Sequence, residues 1–125
     1  MTDTPRILIV DDEPMIRDLL EQALSMMGQS VETCSSGRKA LETLTAQPFD
    51  LVMLDVGLPD MDGFETMAAI QAQSPQTPVI LISGDAADQS RDKALAKGAF
   101  AYVIKPIRLE DLAETIREAL NNNLA

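Results

Sequence analysis

The sequence predicts an α/β fold: a doubly wound, five-stranded parallel sheet with helices on both faces. Five short runs rich in branched apolar residues alternate with longer amphipathic runs along the chain. Three of the short runs, Ile7-Leu8-Ile9-Val10, Leu51-Val52-Met53-Leu54 and Val79-Ile80-Leu81-Ile82, are apolar at every position. Both faces of such strands must be covered, as in a parallel sheet flanked by helices. All six glycines stand at junctions between runs, where turns and helix ends are needed. Strands alternating with helices through right-handed crossovers complete the doubly wound arrangement.

The first strand is expected over Arg6–Val10. A helix should follow over Glu13–Met27, where Ile16, Leu19, Leu20, Ala23, Leu24 and Met27 fall on one stripe at helical spacing. Glu13, Arg17 and Glu21 stand four residues apart and should pair on its outer side. Gly28 suits the left-handed position that ends a helix, as does Gly98 further on. The second run, Ser30–Cys34, is polar at alternate positions and reads as an edge strand. The third and fourth strands are expected over Asp50–Leu54 and Pro78–Ile82. Asp88–Lys97 is the weakest helix, with Leu95 its one large apolar residue, so it should rest loosely on the sheet. A fifth strand is expected over Phe100–Ile104, and a last helix buries Leu109, Leu112, Ile116 and Leu120.

At 125 residues the chain has the size of one domain, here taken as 1–125, without linker or low-complexity segment. It contains no His, which excludes Ser-His-Asp and Cys-His nucleophiles. A single cysteine, Cys34, excludes an intrachain disulfide and a cysteine zinc cluster. Four aromatics (Phe49, Phe64, Phe100 and Tyr102) make a poor platform for stacking nucleic-acid bases. A net charge of −10 opposes binding to nucleic acid or to anionic membranes. No apolar run approaches the ~20 residues of a membrane helix, and Met1-Thr2-Asp3-Thr4-Pro5 lacks a secretion signal. The expected compartment is the cytoplasm. What remains is carboxylate chemistry, with a hard, oxygen-seeking metal if any.

Ligands of doubly wound sheets bind at the carboxyl ends of the strands. There the sequence places Asp11-Asp12, then Asp55, then Ser83, then Lys105-Pro106. Each has an ordinary use. Asp12 can cap the helix opening at Glu13-Pro14, Asp55 can precede the Gly57–Pro59 turn, Ser83-Gly84 can be a turn, and Lys105 can be a solvated charge. Together they are harder to explain by stability. Two like charges ~4 Å apart repel by ~4 kcal/mol at an effective dielectric of 20. A divalent cation and Lys105 would offset that repulsion.

Four motifs, Val10-Asp11-Asp12-Glu13, Asp55-Val56-Gly57-Leu58-Pro59-Asp60-Met61-Asp62-Gly63, Ser83-Gly84 and Lys105-Pro106, stand at successive strand ends. In this the chain, from Ile7 to Leu120, resembles the receiver domain of bacterial response regulators. The resemblance implies a flavodoxin-like (βα)5 fold with strand order 2-1-3-4-5. It implies that Asp55 is the phosphoacceptor. Asp12 and Asp55, with the Gly57 carbonyl, would ligate Mg2+ (or Mn2+), while Asp11 acts through water; an all-oxygen set suits such ions. Lys105 would pair with Asp55 at rest and with a phosphoryl oxygen afterwards, and Pro106 would follow a cis peptide. Ser83 would donate to the phosphoryl group, and Tyr102 would turn inward as part of the same switch. Gly57 and Asp85 would tune the lifetime of the phosphorylated state.

On this resemblance the chain is no enzyme beyond catalysing its own phosphorylation and dephosphorylation. The phosphoryl group would come from a histidine kinase or a histidine phosphotransfer protein. The output surface would be the fourth helix, fifth strand and fifth helix, acting on a downstream protein, an output domain or a second copy. Charge supports that region: no Lys or Arg lies between Ala40 and Ser90, whereas Arg91, Lys93, Lys97, Lys105 and Arg108 follow against Asp92 alone. An acidic partner surface or a homodimer is expected there. An aspartate-nucleophile phosphatase would need an acid where Gly57 stands, and a flavin carrier's phosphate would be repelled by Asp11-Asp12-Glu13. The remaining alternative is a receiver-like binding module that works without phosphorylation.

Overall fold

The computed structural model describes residues 4–124. Five strands and five helices alternate: β1 Arg6–Val10, α1 Pro14–Met26, β2 Ser30–Cys34, α2 Gly37–Ala46, β3 Leu51–Asp55, α3 Gly63–Gln73, β4 Val79–Ser83, α4 Asp88–Ala96, β5 Ala101–Ile104 and α5 Leu109–Leu124. All strand pairs are parallel, in the order β2-β1-β3-β4-β5. The doubly wound, flavodoxin-like class and the edge position of β2 are as expected.

β3 and β4 each end one residue later than the sequence suggests, and the shift bears on function. Asp55 and Ser83 are the last residues of their strands, not the first of a loop. The Val56 N–H donates to the Ile82 carbonyl at 2.9 Å, and the Lys105 N–H to the Ser83 carbonyl at 2.8 Å. Sheet hydrogen bonds therefore hold the backbone on which these side chains stand.

Strand side chains alternate between faces. Ile7, Ile9, Leu51, Met53, Ile80 and Ile82 join Leu20 and Leu24 of α1 and Leu112, Ile116 and Ala119 of α5 in one core layer. Leu8, Val10, Val52, Leu54 and Leu81 join Ala40 and Leu44 of α2, Met67 and Ile70 of α3 and Ala94 of α4 in the other. Both faces of β1, β3 and β4 are sealed, which is why these strands carry no alternating polar positions.

Three helical expectations need correction. In α1, Leu20 and Leu24 are buried, but Leu19 and Met27 stay 44% and 39% exposed. The helix lies along the β1–β2 edge of the sheet, so only a narrow stripe is covered. In α5, Leu109 is also 40% exposed at the first turn. In α4 the residue seated on the sheet is Ala94; Leu95, one position and about 100° further round, is turned aside and 43% exposed. α4 is thus anchored by less apolar area than expected.

The outer pairs along α1 do not form either. Glu13 occupies the N-cap in an extended conformation, off the helix surface, and Arg17 Nη1 donates instead to the Asp11 carbonyl at 2.8 Å. The glycine ends of α1 and α4 are as expected, with φ of +86° at Gly28 and +101° at Gly98. In each, two N–H groups turn back to the last carbonyls of the helix: Gly28 to Ser25 and Gln29 to Leu24, Gly98 to Leu95 and Ala99 to Ala94.

Candidate functional site

The site lies where β1, β3, β4 and β5 end. The Asp11 N–H donates to the Cys34 carbonyl at 3.1 Å, which carries the β1–β2 ladder one residue past β1. Its carboxylate is buried, and Oδ1 accepts the Glu13 N–H at 2.9 Å. That bond, rather than a cap by Asp12, turns the chain into α1. Asp55 is buried at the end of β3, and Asp12 is exposed at the rim. One oxygen from each of Asp11, Asp12 and Asp55 lies within 4.8 Å of the others.

Lys105 enters from the end of β5. Its Nζ stands 3.1 Å from Glu13 Oε1, 3.5 Å from Asp55 Oδ1 and 3.7 Å from Asp11 Oδ2. Burial alone would lower its pKa. The hydrogen bond to Glu13 and the charges of Asp11, Asp55 and Glu13 outweigh burial and raise it. Asp11 is pushed above the ordinary carboxylate range, chiefly by burial; the Glu13 N–H counters this, while Asp55 adds repulsion. Asp11 Oδ2 is buried and accepts no hydrogen bond. A buried carboxylate oxygen with no hydrogen bond and only the Lys105 ammonium at 3.7 Å, on a residue grouped with two further carboxylates, is a poor arrangement for stability and a good one for a divalent cation. The donor set therefore fits Mg2+ or Mn2+.

The Gly57 N–H donates to Asp55 Oδ1 at 3.3 Å, and a side chain at Gly57 would meet nothing within 4 Å. Ser83 is buried at the end of β4, and its Oγ accepts the Asp85 N–H at 3.0 Å. That bond uses a lone pair and leaves the hydroxyl hydrogen for another acceptor.

Asp85 connects three parts of this edge. Its carboxylate accepts the Ser90 hydroxyl at 2.6 Å and the Ala87 N–H at 2.9 Å. Those two bonds, in that order, hold its pKa below the ordinary range. Ala87, the N-cap of α4, has no capping side chain, and Asp85 ties its N–H and the Ser90 hydroxyl together at the start of the helix. The Asp85 carbonyl in turn accepts the Tyr102 hydroxyl at 2.7 Å. Tyr102 is half-buried on β5, and the Lys105–Pro106 peptide is cis.

The structure thus gathers Asp11, Asp12, Asp55 and Lys105 at one point, with Gly57 beside Asp55. A hydrogen-bonded run from Ser83 through Asp85 to Tyr102 leads away from it. The sequence places Glu13 in the first motif and in an outer helix pair, not beside Lys105, yet it makes the shortest of the three carboxylate contacts to Lys105. The signal was its place directly after the acid pair, on the edge where Lys105 also ends.

A family model described as "Response regulator receiver domain" matches residues 7–117. Among curated relatives, Regulatory protein AtoC of Escherichia coli (strain K12) is 38% identical over 120 residues, covering 96% of this chain and 26% of that protein. Transcriptional regulatory protein TcrA of Mycobacterium tuberculosis is 39% identical over 112 residues, covering 90% and 44%. The chain therefore spans between a quarter and half the length of these relatives. Among solved structures, a CheY-like response regulator receiver domain protein from Methanospirillum hungatei JF-1 superposes with a TM-score of 0.91 at 34% identity, covering 97% of each chain. The chemotaxis response regulator CheY4 of Vibrio cholerae gives 0.88 at 31% identity, covering 94% and 100%.

Proposed function

The chain belongs to the response regulator receiver family of two-component signalling, and from that premise we propose that it is a switch thrown by phosphorylation of Asp55. The observation that carries this reading is the convergence of three carboxylates and one ammonium at a single sheet edge, with one buried carboxylate oxygen left without a hydrogen bond.

Asp55 attacks the phosphorus of a phosphohistidine on a histidine kinase or phosphotransfer protein. Its carboxylate oxygen forms the new P–O bond as the donor's P–N bond breaks and the imidazole leaves. Asp11, Asp12, Asp55 and the Gly57 carbonyl are the groups that would hold Mg2+ (Mn2+ would also suit). When bound, the cation supplies counter-charge to an attack of anion on anion. Lys105, already 3.5 Å from Asp55, passes to a phosphoryl oxygen. Positioning and charge complete the catalysis, and no general base is required.

Output follows from the run beyond Ser83. A phosphoryl group draws the Ser83 hydroxyl, and the Asp85 backbone that Ser83 and Tyr102 both hold must adjust. α4 is the element free to follow, since Ala94 is its seat on the sheet. The α4-β5-α5 face would then engage a downstream partner, an output domain or a second copy. Its charge is narrower than the sequence suggested. Lys93 Nζ sits 4.5 Å over the Phe64 ring, Arg108 pairs with Asp111 at 3.6 Å, and Lys105 belongs to the site. Arg91 and Lys97 make no ion pair among the described residues, and they are the cations offered to an acidic partner.

In this reading residues 1–125 form a single receiver domain working in the cytoplasm. No described helix is long and apolar enough to cross a membrane. Incubation with acetyl phosphate and Mg2+, followed by intact-mass measurement, tests the reading. Gain of one phosphoryl group, lost when Mg2+ is chelated, supports it. No gain would favour a module that binds partners without phosphorylation.

A further inference from the structure

We infer that Asp60 is a positioning residue for the metal and phosphoryl chemistry, an inference that rests on the reading of Asp55 above. The segment from Val56 to Asp62 follows the acceptor and carries the Gly57 carbonyl. Its ends are closed by the Gly63 N–H, which donates to the Val56 carbonyl at 3.2 Å. A Cβ at Gly63 would lie 2.5 Å from Val56 Cα, so the closure requires glycine there.

The middle of the segment is held differently. Asp60 is exposed, yet its Oδ1 accepts the Gly37 N–H and its Oδ2 the Arg38 N–H, each at 3.0 Å. These are the opening N–H groups of α2, which have no partner within the helix. The helix's own cap, Ser36, reaches only Lys39 N, at 3.2 Å. A carboxylate 23 residues further along the chain, beyond β3, thus completes the cap. Glycine at 37 permits the approach, because a Cβ there would meet Thr66 Oγ1 at 2.8 Å and Met61 Cβ at 3.2 Å.

The end of β2, which leads into the turn that receives Asp60, also holds the backbone of Asp11. The Cys34 carbonyl accepts the Asp11 N–H, and Gly37 follows three residues later. One short turn therefore braces both the backbone of Asp11 and the loop bearing Gly57. Asp60 sets the distance between those two parts of the site while touching neither reacting atom.

The test compares wild type with Asp60→Ala, Asp60→Asn and Gly37→Ala, at a temperature where circular dichroism shows each fully folded. Mg2+ affinity is measured by calorimetry with Mg2+ alone, and phosphoryl gain from acetyl phosphate by mass. Asp60→Ala is expected to weaken Mg2+ binding roughly fivefold or more, about 1 kcal/mol, and to slow phosphoryl gain at saturating Mg2+ roughly tenfold. Asp60→Asn, which keeps one acceptor oxygen, should fall between, and Gly37→Ala should shift both quantities the same way. A lowered melting temperature with Mg2+ affinity and rate within about twofold of wild type would overturn the inference, leaving Asp60 a helix cap only. Failure of the wild type itself to gain a phosphoryl group would sink the reading of Asp55. The inference on Asp60 would still be judged, by the Mg2+ titration.

Discussion

Lys105 Nζ lies closer to Glu13, at 3.1 Å, than to Asp55, the proposed acceptor, at 3.5 Å. On the proposed reading, the ammonium that would meet the transferred phosphoryl group is thus shared with an exposed carboxylate outside the proposed transfer. Glu13 competes for Lys105 and adds repulsion toward an anionic donor. Because Glu13 is 60% exposed, the competition is screened and worth no more than about 1 kcal/mol. Glu13→Gln should therefore speed phosphoryl gain from acetyl phosphate by roughly two- to fivefold. Initial rates at fixed Mg2+ would check this, and a slower variant would show that Glu13 helps to place Lys105.

Asp85 gives a pH-dependent prediction. Its folded pKa is depressed by the bonds from Ser90 and Ala87. A depressed carboxylate stabilises the folded state above its unfolded pKa of about 3.9, and the contribution is lost as pH falls through the lower folded value. Asp85→Ala should lower the melting temperature at pH 7, and the gap from wild type should close below about pH 4. The same variant should change the dephosphorylation rate, since the Asp85 carboxylate, through Ala87 and Ser90, fixes the backbone that joins Ser83 to Tyr102. A matched half-life would remove Asp85 from that role.

Cys34 is 8% exposed, and burial pushes its thiol pKa up to about 11. The thiolate is the nucleophile, so the folded protein should resist iodoacetamide at pH 8 and react fully once unfolded. The raised pKa also means that stability declines as pH climbs past the unfolded thiol value, about 8.5. Mass-detected alkylation with and without denaturant settles the first point. Ready labelling of folded protein would contradict the packing of β2.

At α4, Lys93 and Lys97 should behave differently despite equal charge. A double-mutant cycle of Lys93→Ala with Phe64→Ala should show a coupling of about 0.5–1 kcal/mol in denaturant unfolding. Arg91→Glu with Lys97→Glu should leave stability nearly unchanged and weaken binding to an acidic partner. Unchanged affinity would remove the charge argument for this face.

The sheet was legible because burial on both faces leaves long apolar runs that only a covered parallel strand explains. The acids and Lys105 were legible because strand ends of such a sheet share one edge. Other features were not. The exposure of Leu19, Met27 and Leu95 depends on which flank of a helix a neighbour covers, and periodicity alone does not say. The pairing of Glu13 with Lys105 and the reach of Asp60 to Gly37 join residues far apart in sequence through loops. No local pattern encodes such contacts. Asp60 stands within the second motif without a role that the sequence alone assigns, since an exposed acid there looks like any solvated turn residue.

The central claim is that Asp11, Asp12 and Asp55 are gathered so that Asp55 alone accepts the phosphoryl group. Borohydride reduction after treatment with acetyl phosphate and Mg2+ converts an aspartyl phosphate to homoserine, and peptide mass mapping locates it. The account predicts homoserine at position 55, dependent on Mg2+ and absent from Asp55→Asn. Homoserine at another acid, or none in wild type under conditions that phosphorylate a known receiver, would contradict it.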